Sequence, residues 1–196
     1  MSSERKMCFI DSNRDMFLSM VHKPEVLKIS NMVDSFQWND DNDMLTALAD
    51  GKLKTWFYPN AVYVDKDLMN KAMSAKEAGD VGKLGAITQF NGNIVTVRRL
   101  DGSLATLGIS PYPKMLYEHV DKTDFEKAIR MCRFVKEQPL WACLAAMSIY
   151  SRELNTVEIA LAAIDEADKV QFINYIKELP SEPSRNAALA LYCKKY

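Results

Sequence analysis

The sequence predicts a β-then-α protein with two parts: a partial WD-type β-propeller of antiparallel blades over residues 1–111, and the start of an α-solenoid of tetratricopeptide-like helical hairpins over residues 112–196. Two observations predict this. Up to about residue 110, short segments that alternate apolar and polar residues are separated by Asn-Gly and Asp-Gly steps, which is typical of β-hairpins. From Pro113 onward, apolar residues recur about every 3.6 residues, which indicates helices.

The predicted strands of the first part are bounded by turn residues. Asp50-Gly51 is followed by Leu53 and Trp56, and Asp101-Gly102 is followed by Leu104, with a weaker copy of the pattern at residues 13–18. The intervals of about 37 and about 51 residues bracket the length of a WD-type blade, and an insertion over residues 65–83 accounts for the longer one. A generic antiparallel meander is the alternative. The predicted strands are Lys6–Ile10, Asp15–Val21, Val33–Trp38, Met44–Ala49, Lys52–Tyr58, Ala86–Phe90, Ile94–Arg99 and Leu104–Ile109.

About 110 residues supply only two to three blades, whereas a closed propeller requires several. The missing blades would leave edge strands exposed, and exposed edges favour aggregation. We therefore expect the remaining blades to come from a larger protein, or this chain to be a shortened product. In either case the chain by itself should dissolve poorly or self-associate.

The second part reads as successive helices. Thr123 and Glu126 predict a capping box that opens the first of them. The run Arg130–Ile149 continues into a helix from Leu140 to about Ser151 that is apolar on all sides and should be the buried member of its hairpin. Further helices are expected from Asn155, from Asp168 to Leu179, and from about Ser184 onward. Glu126-Lys-Ala-Ile129 recurs about 32 residues later as Glu158-Ile-Ala-Leu161, close to a tetratricopeptide period.

Composition points to a soluble intracellular protein that does not bind nucleic acid. Charged residues make up 26% of the chain, the net charge is −1, and no basic stripe is present. The start of the chain lacks the apolar core of a secretory signal, and Leu140–Tyr150 is about half the length that a membrane span needs. We therefore expect no direct membrane insertion.

The sequence predicts no catalytic, cofactor-binding or metal-binding residue, and no cofactor. The cysteines show no C-x-x-C spacing and should be buried thiols, and His22 and His119 are too far apart to suggest a zinc site. Asp40, Asp41 and Asp43 lack the glycine and glutamate of a calcium loop. Gly79, Gly82 and Gly85 lack the lysine of a phosphate loop and favour a flexible insertion. Trp56 and Trp141 are interpreted as core residues. The cysteines are Cys8, Cys132, Cys143 and Cys193.

Several stretches resemble the intraflagellar transport protein 80 family, WD-repeat subunits of the intraflagellar transport B complex. Together they extend over nearly the whole chain and combine propeller and solenoid segments, which generic WD repeats do not. The resemblance implies that residues 1–111 are the end of a second propeller and that the solenoid follows. The matching stretches are Trp56–Leu68, Gly92–Leu104, Ile109–Pro113, Arg130–Ile149 and Asp168–Pro180.

The resemblance implies a non-enzymatic scaffold that acts in ciliary transport and cilium assembly through protein-protein contacts. The implied partners are other intraflagellar transport B complex subunits of the peripheral subcomplex, together with self-association. The implied location is the cytoplasm and the cilium, with its basal body and axoneme. A vesicle-coat or nuclear-pore scaffold of the same propeller-solenoid design is the alternative, and an enzyme with a propeller-borne site is a third class that lacks candidate residues.

Overall fold

The structure is a computed structural model that describes residues 6–21, 25–81 and 85–193. The chain forms two compact units. The first comprises Met1–Thr55 with Ala75–Ser110, and the second comprises Trp56–Ser74 with Pro111–Tyr196. The segment Trp56–Ser74, which we call the inserted segment, thus groups with the helices, although it lies within the stretch for which the sequence predicts blades.

The first unit consists of consecutive antiparallel sheets, each a meander of sequential strands as in propeller blades. Sheet A contains β1 (Lys6–Ile10), β2 (Met16–Met20) and β3 (Val26–Ser30) in that order. Sheet B has the order β4 (Val33–Trp38), β5 (Leu45–Ala49), β6 (Lys52–Trp56) and β7 (Met73–Glu77). Sheet C contains β8 (Ala86–Asn91), β9 (Ile94–Arg98) and β10 (Leu104–Gly108), with β9 in the centre.

The Asp-Gly turns form as the sequence predicts. Asp50 and Gly51 join β5 to β6 with φ angles of +53° and +72°, the left-handed pair that a two-residue hairpin of the favoured type needs. β4 and β5 are in register from Val33 opposite Ala49 to Trp38 opposite Leu45, with one irregularity near the start. β5 is buried on both faces, so this hairpin forms part of the core of the first unit.

Side chains from sheet B bind the backbone of sheet C. The Ser35 hydroxyl accepts a hydrogen bond from the Ile87 amide at 2.9 Å. The buried Asn39 amide group donates to the carbonyls of Phe90 and Gly92 at 3.2 and 3.0 Å. The Asn39 side-chain oxygen accepts from the amides of residues 41 and 42 at 3.1 and 3.0 Å. Asn39, at the start of the turn that joins β4 to β5, is therefore a buried connection between two sheets.

The first element of the helical unit in chain order is a 3-10 helix at Pro59–Tyr63, in the inserted segment. A second 3-10 helix, at Gly79–Val81, belongs to the first unit. No helix of the described residues has the length and apolarity to cross a membrane. The α-helices are α1 (Lys66–Lys71), α2 (Tyr112–Asp121), α3 (Phe125–Val135), α4 (Gln138–Ser151), α5 (Leu154–Ala162), α6 (Ala167–Glu178) and α7 (Glu182–Tyr192).

Helix α4 is buried, as predicted, and lies at the centre of the helical unit. Every residue from Leu140 to Ile149 is buried. Helices α2, α3 and α5 pack against α4, and so do α1 and the 3-10 helix of the inserted segment. The buried small residues Ala142, Ala145 and Ala146 permit this close approach from several sides. The order of sheets followed by helical hairpins confirms the predicted fold class.

The structure corrects several details of the prediction. The capping box at Thr123 is wrong: Thr123 has a φ of +56°, and Asp124 caps α3 by accepting from the Lys127 amide at 3.1 Å. An Asp cap serves the same orphan donors. The strands β3 and β7 and the separate helix α2 were not predicted. The sequence of β7, Met-Ser-Ala-Lys-Glu, contains no β-branched residue and so carries no strand signal.

The glycines near residue 80 are not explained by a flexible insertion alone. Gly85 lies so close to its neighbours that a Cβ atom would be 2.5 Å from the Val81 carbonyl oxygen and 2.8 Å from a Val97 methyl group. This glycine is therefore required by close packing. Gly79 has a left-handed φ of +56°, and Gly82 lies outside the described residues.

We expect Asn39→Ala to lower the free energy of unfolding of the sheet unit by about 2–4 kcal/mol, because it removes four hydrogen bonds between the buried side chain and the backbone. Equilibrium urea unfolding followed by circular dichroism measures this. Asn31→Ala, at an exposed position of the adjoining turn, is the matched control and should change stability by less than about 0.5 kcal/mol. Equal effects of the two variants would show that the Asn39 contacts do not stabilise the sheets.

Leu144→Ala should lower the free energy of unfolding of the helical unit by about 2–5 kcal/mol, because Leu144 is fully buried and the smaller side chain leaves a cavity. The same change at Leu191, which is 62% exposed, should cost less than about 1 kcal/mol. Thermal and urea unfolding of both variants test the difference. A loss at Leu191 as large as the loss at Leu144 would contradict the position of α4 at the centre of the core.

Candidate interaction site on the helical unit

The inserted segment leaves sheet B after β6 and returns to it at β7, and its base is closed by backbone and aromatic contacts. The Phe57 amide donates to the Ala72 carbonyl at 3.1 Å. The Tyr117 hydroxyl, on α2, donates to the Phe57 carbonyl at 2.8 Å, and the rings of Tyr58 and Tyr117 meet edge to face at 6.0 Å. Trp56 is buried as predicted. These contacts fix the segment against α2.

An ionic cluster holds α1 against the later helices, and we call it the Asp65 network: Asp65, Lys71, Glu166, Lys169 and Tyr192. Asp65 caps α1 by accepting from the Asp67 amide at 3.0 Å. Its Oδ2 also lies 2.6 Å from Lys169 Nζ and accepts from the Tyr192 hydroxyl at 2.8 Å. Lys71 Nζ lies 2.6 Å from Glu166 Oε1 and donates to the Ile164 carbonyl at 3.2 Å. Residues about 100 positions apart in the chain are thus joined.

The electrostatics of the Asp65 network favour its charged form. Burial by itself would raise the pKa of Asp65, but the hydrogen bonds from Lys169, Tyr192 and the Asp67 amide, with the Lys169 charge, outweigh it and lower that pKa. The hydrogen bond from Lys71 is the main cause of a lowered pKa for Glu166. Burial would lower the pKa of Lys169, but its bond to Asp65 raises it overall. The charged groups of the network are paired with one another, so the network has a structural role.

We expect Asp65→Asn to lower the free energy of unfolding by about 1–3 kcal/mol at pH 7, because asparagine still caps α1 but removes the charge that Lys169 faces. Because the folded pKa of Asp65 lies below its ordinary value of about 3.9, this stabilisation is present above about pH 4 and is lost as pH falls through the lowered folded pKa. Urea unfolding of both proteins between pH 7 and pH 3 should show the difference shrinking.

Asp67→Asn is the matched control. Asp67 also faces Lys169, at 3.3 Å, but its side chain is 76% exposed, and exposed pairs contribute about 0–1 kcal/mol. A difference between wild type and Asp65→Asn that does not change with pH would show that the charge of Asp65 is not what stabilises the segment.

Burial raises the pKa of three of the four cysteine thiols. Burial raises the pKa of the Cys132 thiol to about 12 and raises that of Cys143 well above its usual value. Cys8 likewise has a pKa raised by burial to about 12. In the described residues no group of three His, Cys, Asp or Glu side chains is placed to hold a metal ion. His22 lies outside those residues.

Exposed apolar side chains mark candidate contact surfaces on the helices. On α6 and α7, the ring of Phe172 stacks on Tyr192 at 5.9 Å and lies 6.1 Å from Tyr175. The exposed Leu191 directly precedes Tyr192 in α7. We call these four residues the α6–α7 patch. Phe172, Tyr175 and Leu191 are exposed, and Tyr192 is half-buried. Sequence reasoning missed the α6 contribution, because Phe172 has the spacing of a core residue.

Both parts of the chain are similar to known protein families. The family description "IFT80 second beta-propeller" matches residues 1–112, and "IFT80/172/WDR35/WDR19 TPR domain" matches residues 140–196. The intraflagellar transport protein 80 homolog of Rattus norvegicus is 45% identical over 98% of this chain, and that of Mus musculus is 43% identical over the same share. The chain covers 25% of the length of each. This chain belongs to the intraflagellar transport protein 80 family.

Proposed function

We propose that this chain is part of a non-enzymatic scaffold subunit of the intraflagellar transport B complex, acting in ciliary transport and cilium assembly. The observation that carries the proposal is the succession, in one chain, of a match to the second propeller of the family and a match to its tetratricopeptide domain. We further propose residues 1–111 as the end of that propeller and residues 112–196 as the start of the solenoid.

The scaffold role is supported by how the polar chemistry of the chain is used. Two of the four cysteines are fully covered thiols whose pKa is raised by burial, so they supply no thiolate at neutral pH. The carboxylates of the helical unit whose pKa is lowered lie in ion pairs or helix caps, as Asp65, Asp124, Glu158 and Glu166 do. Such groups stabilise a fold and are not poised to react.

The proposed partners are other B-complex subunits of the peripheral subcomplex and a second copy of the protein. Exposed apolar side chains support contacts of this kind, since contiguous apolar surface favours protein association. The α6–α7 patch is one such surface. The proposed location is the cytoplasm and the cilium, including its basal body and axoneme.

Proximity labelling in ciliated cells tests this function. We expect the tagged chain to label B-complex subunits well above the background of a tag-only control, and to be detected at the ciliary base and along the axoneme. Labelling should fall for Leu144→Ala, because the cavity in the core lowers the fraction of the chain that is folded and presents a contact surface.

Two results would contradict the proposal. Labelling of vesicle-coat or nuclear-pore components in place of B-complex subunits would favour that other class of scaffold. Labelling of chaperones alone, at equal levels for the wild type and Leu144→Ala, would show that these residues carry no surface for the complex.

A further inference from the structure

A surface groove between α3 and α5 has not been assigned a role. It has a volume of about 340 Å³ and is lined by Glu126, Ile129, Arg130, Arg133 and Ile159. We call these residues the α3–α5 groove. The four α3 residues follow the i, i+3, i+4, i+7 spacing of one helix face, and Ile159 completes the groove from α5. Ile129 and Ile159 are half-buried, so the floor is apolar and open to solvent.

An exposed aromatic side chain stands one helical turn from Arg130, which lines this groove. Phe134 is 81% exposed, more than any other large apolar side chain of the described residues. It follows Arg130 by four positions and therefore stands one helical turn away on the same side of α3. The packing of α3 does not use it, because α3 buries Ala128 and Cys132 toward the rest of the unit. An aromatic ring exposed to this degree beside an apolar groove is typical of an anchor for a partner protein.

The charge at the groove is positive and incompletely neutralised. Glu126 pairs with Arg130 at 3.2 Å across one turn of α3. Arg133 and Lys136 face no carboxylate among the residues the structure describes. The lysines of α6 differ, since Lys169 pairs with three carboxylates and Lys177 pairs with Glu158. Arg133 in the α3–α5 groove and Lys136 at the end of α3 are thus, among the described residues, cations that are free to bind a negatively charged partner.

We propose that the α3–α5 groove binds an acidic amphipathic helix of a partner protein. An apolar side chain of that helix enters between Ile129 and Ile159, Phe134 packs along its flank, and its carboxylates reach Arg133 and Lys136. A groove formed by two helices accommodates a third as a ridge. α3 has 11 residues, so the site suits about three turns of partner helix. This inference names a partner class for the scaffold role and rests on that proposed function.

The test measures binding of a defined probe to the complete 196-residue chain. The probe is a fluorescein-labelled 20-residue peptide with leucine on one helical face and glutamate elsewhere, and the comparison peptide has lysine in place of each glutamate. By fluorescence anisotropy we expect the acidic peptide to bind at least ~10-fold more tightly than the basic one. Phe134→Ala and Arg133→Glu should each weaken its binding by about 5- to 20-fold.

Matched controls come from the sheet unit. Leu104→Ala removes another exposed apolar side chain, and Arg99→Glu makes the same charge change at another exposed arginine. Both should leave the affinity of the acidic peptide within about 2-fold of the wild-type value. Phe134 and Arg133 are exposed, so their variants should retain the wild-type circular dichroism spectrum and melting temperature, and a change in binding then reports on the groove.

Several outcomes would overturn the proposal. They are equal affinity for both peptides, no binding of the acidic peptide at millimolar concentration, or affinities that the groove variants do not change. Sedimentation velocity adds another: if Phe134→Ala converts a dimer to a monomer, a second copy occupies the groove. The peptide assay uses no ciliary component, so a negative result would not contradict the assignment to the B complex. A negative labelling result would likewise not contradict binding of the peptide to the groove.

Discussion

The burial of α4 on every side is the constraint on which the helical unit depends. A helix of a soluble protein usually presents one apolar stripe, and its polar face stays in water. Helix α4 has no polar face: every residue from Leu140 to Ile149 is buried, including Ser148, whose hydroxyl donates to the Leu144 carbonyl one turn earlier. Such a helix is stable only if other elements cover it from several directions, because each uncovered side would expose apolar surface to water.

The neighbouring helices supply part of that cover, and the inserted segment supplies the rest. Helices α2, α3 and α5 pack on α4, and α1 and the 3-10 helix contribute additional contacts. The segment comes from between two strands of sheet B, so a stretch of chain that starts in the β-sheet part completes a helical core. The Cys143 thiol of α4 donates to the Ala72 carbonyl at 3.9 Å and so lies where α4 meets the inserted segment. The inserted segment is therefore part of the helical core.

A short segment can cover α4 only if it is held in place, and the ion pairs of the Asp65 network hold it. α1 has six residues, too few to be a stable helix by itself. The Asp65 network caps its first turn and pairs its last with the loop before α6. Lys169 and Lys177 of α6 are consequently occupied by carboxylates, whereas Arg133 of α3 faces none among the described residues. The same unit thus contains charges that maintain the fold around Asp65 and, within the described part of the chain, an unpaired arginine, Arg133, beside the α3–α5 groove.

Periodicity and turn chemistry determined much of the fold from the sequence alone. The hairpins at Asp50-Gly51 and Asp101-Gly102, the helices α4 to α7 and the full burial of α4 follow from local patterns, because backbone preference and amphipathicity act over a few residues. The resemblance of the quoted stretches to the family also required only the sequence.

The tertiary structure decided what depends on residues far apart in the chain. It placed the inserted segment on α4, brought Asp65 to Lys169 and Tyr192, buried Asn39 between two sheets, and paired β7, whose composition carries no strand signal. It also set Ile159 opposite Ile129 to form the α3–α5 groove. None of these has a local signature, because an ion pair or a groove is formed by the packing of separate elements, and packing depends on the distances between them.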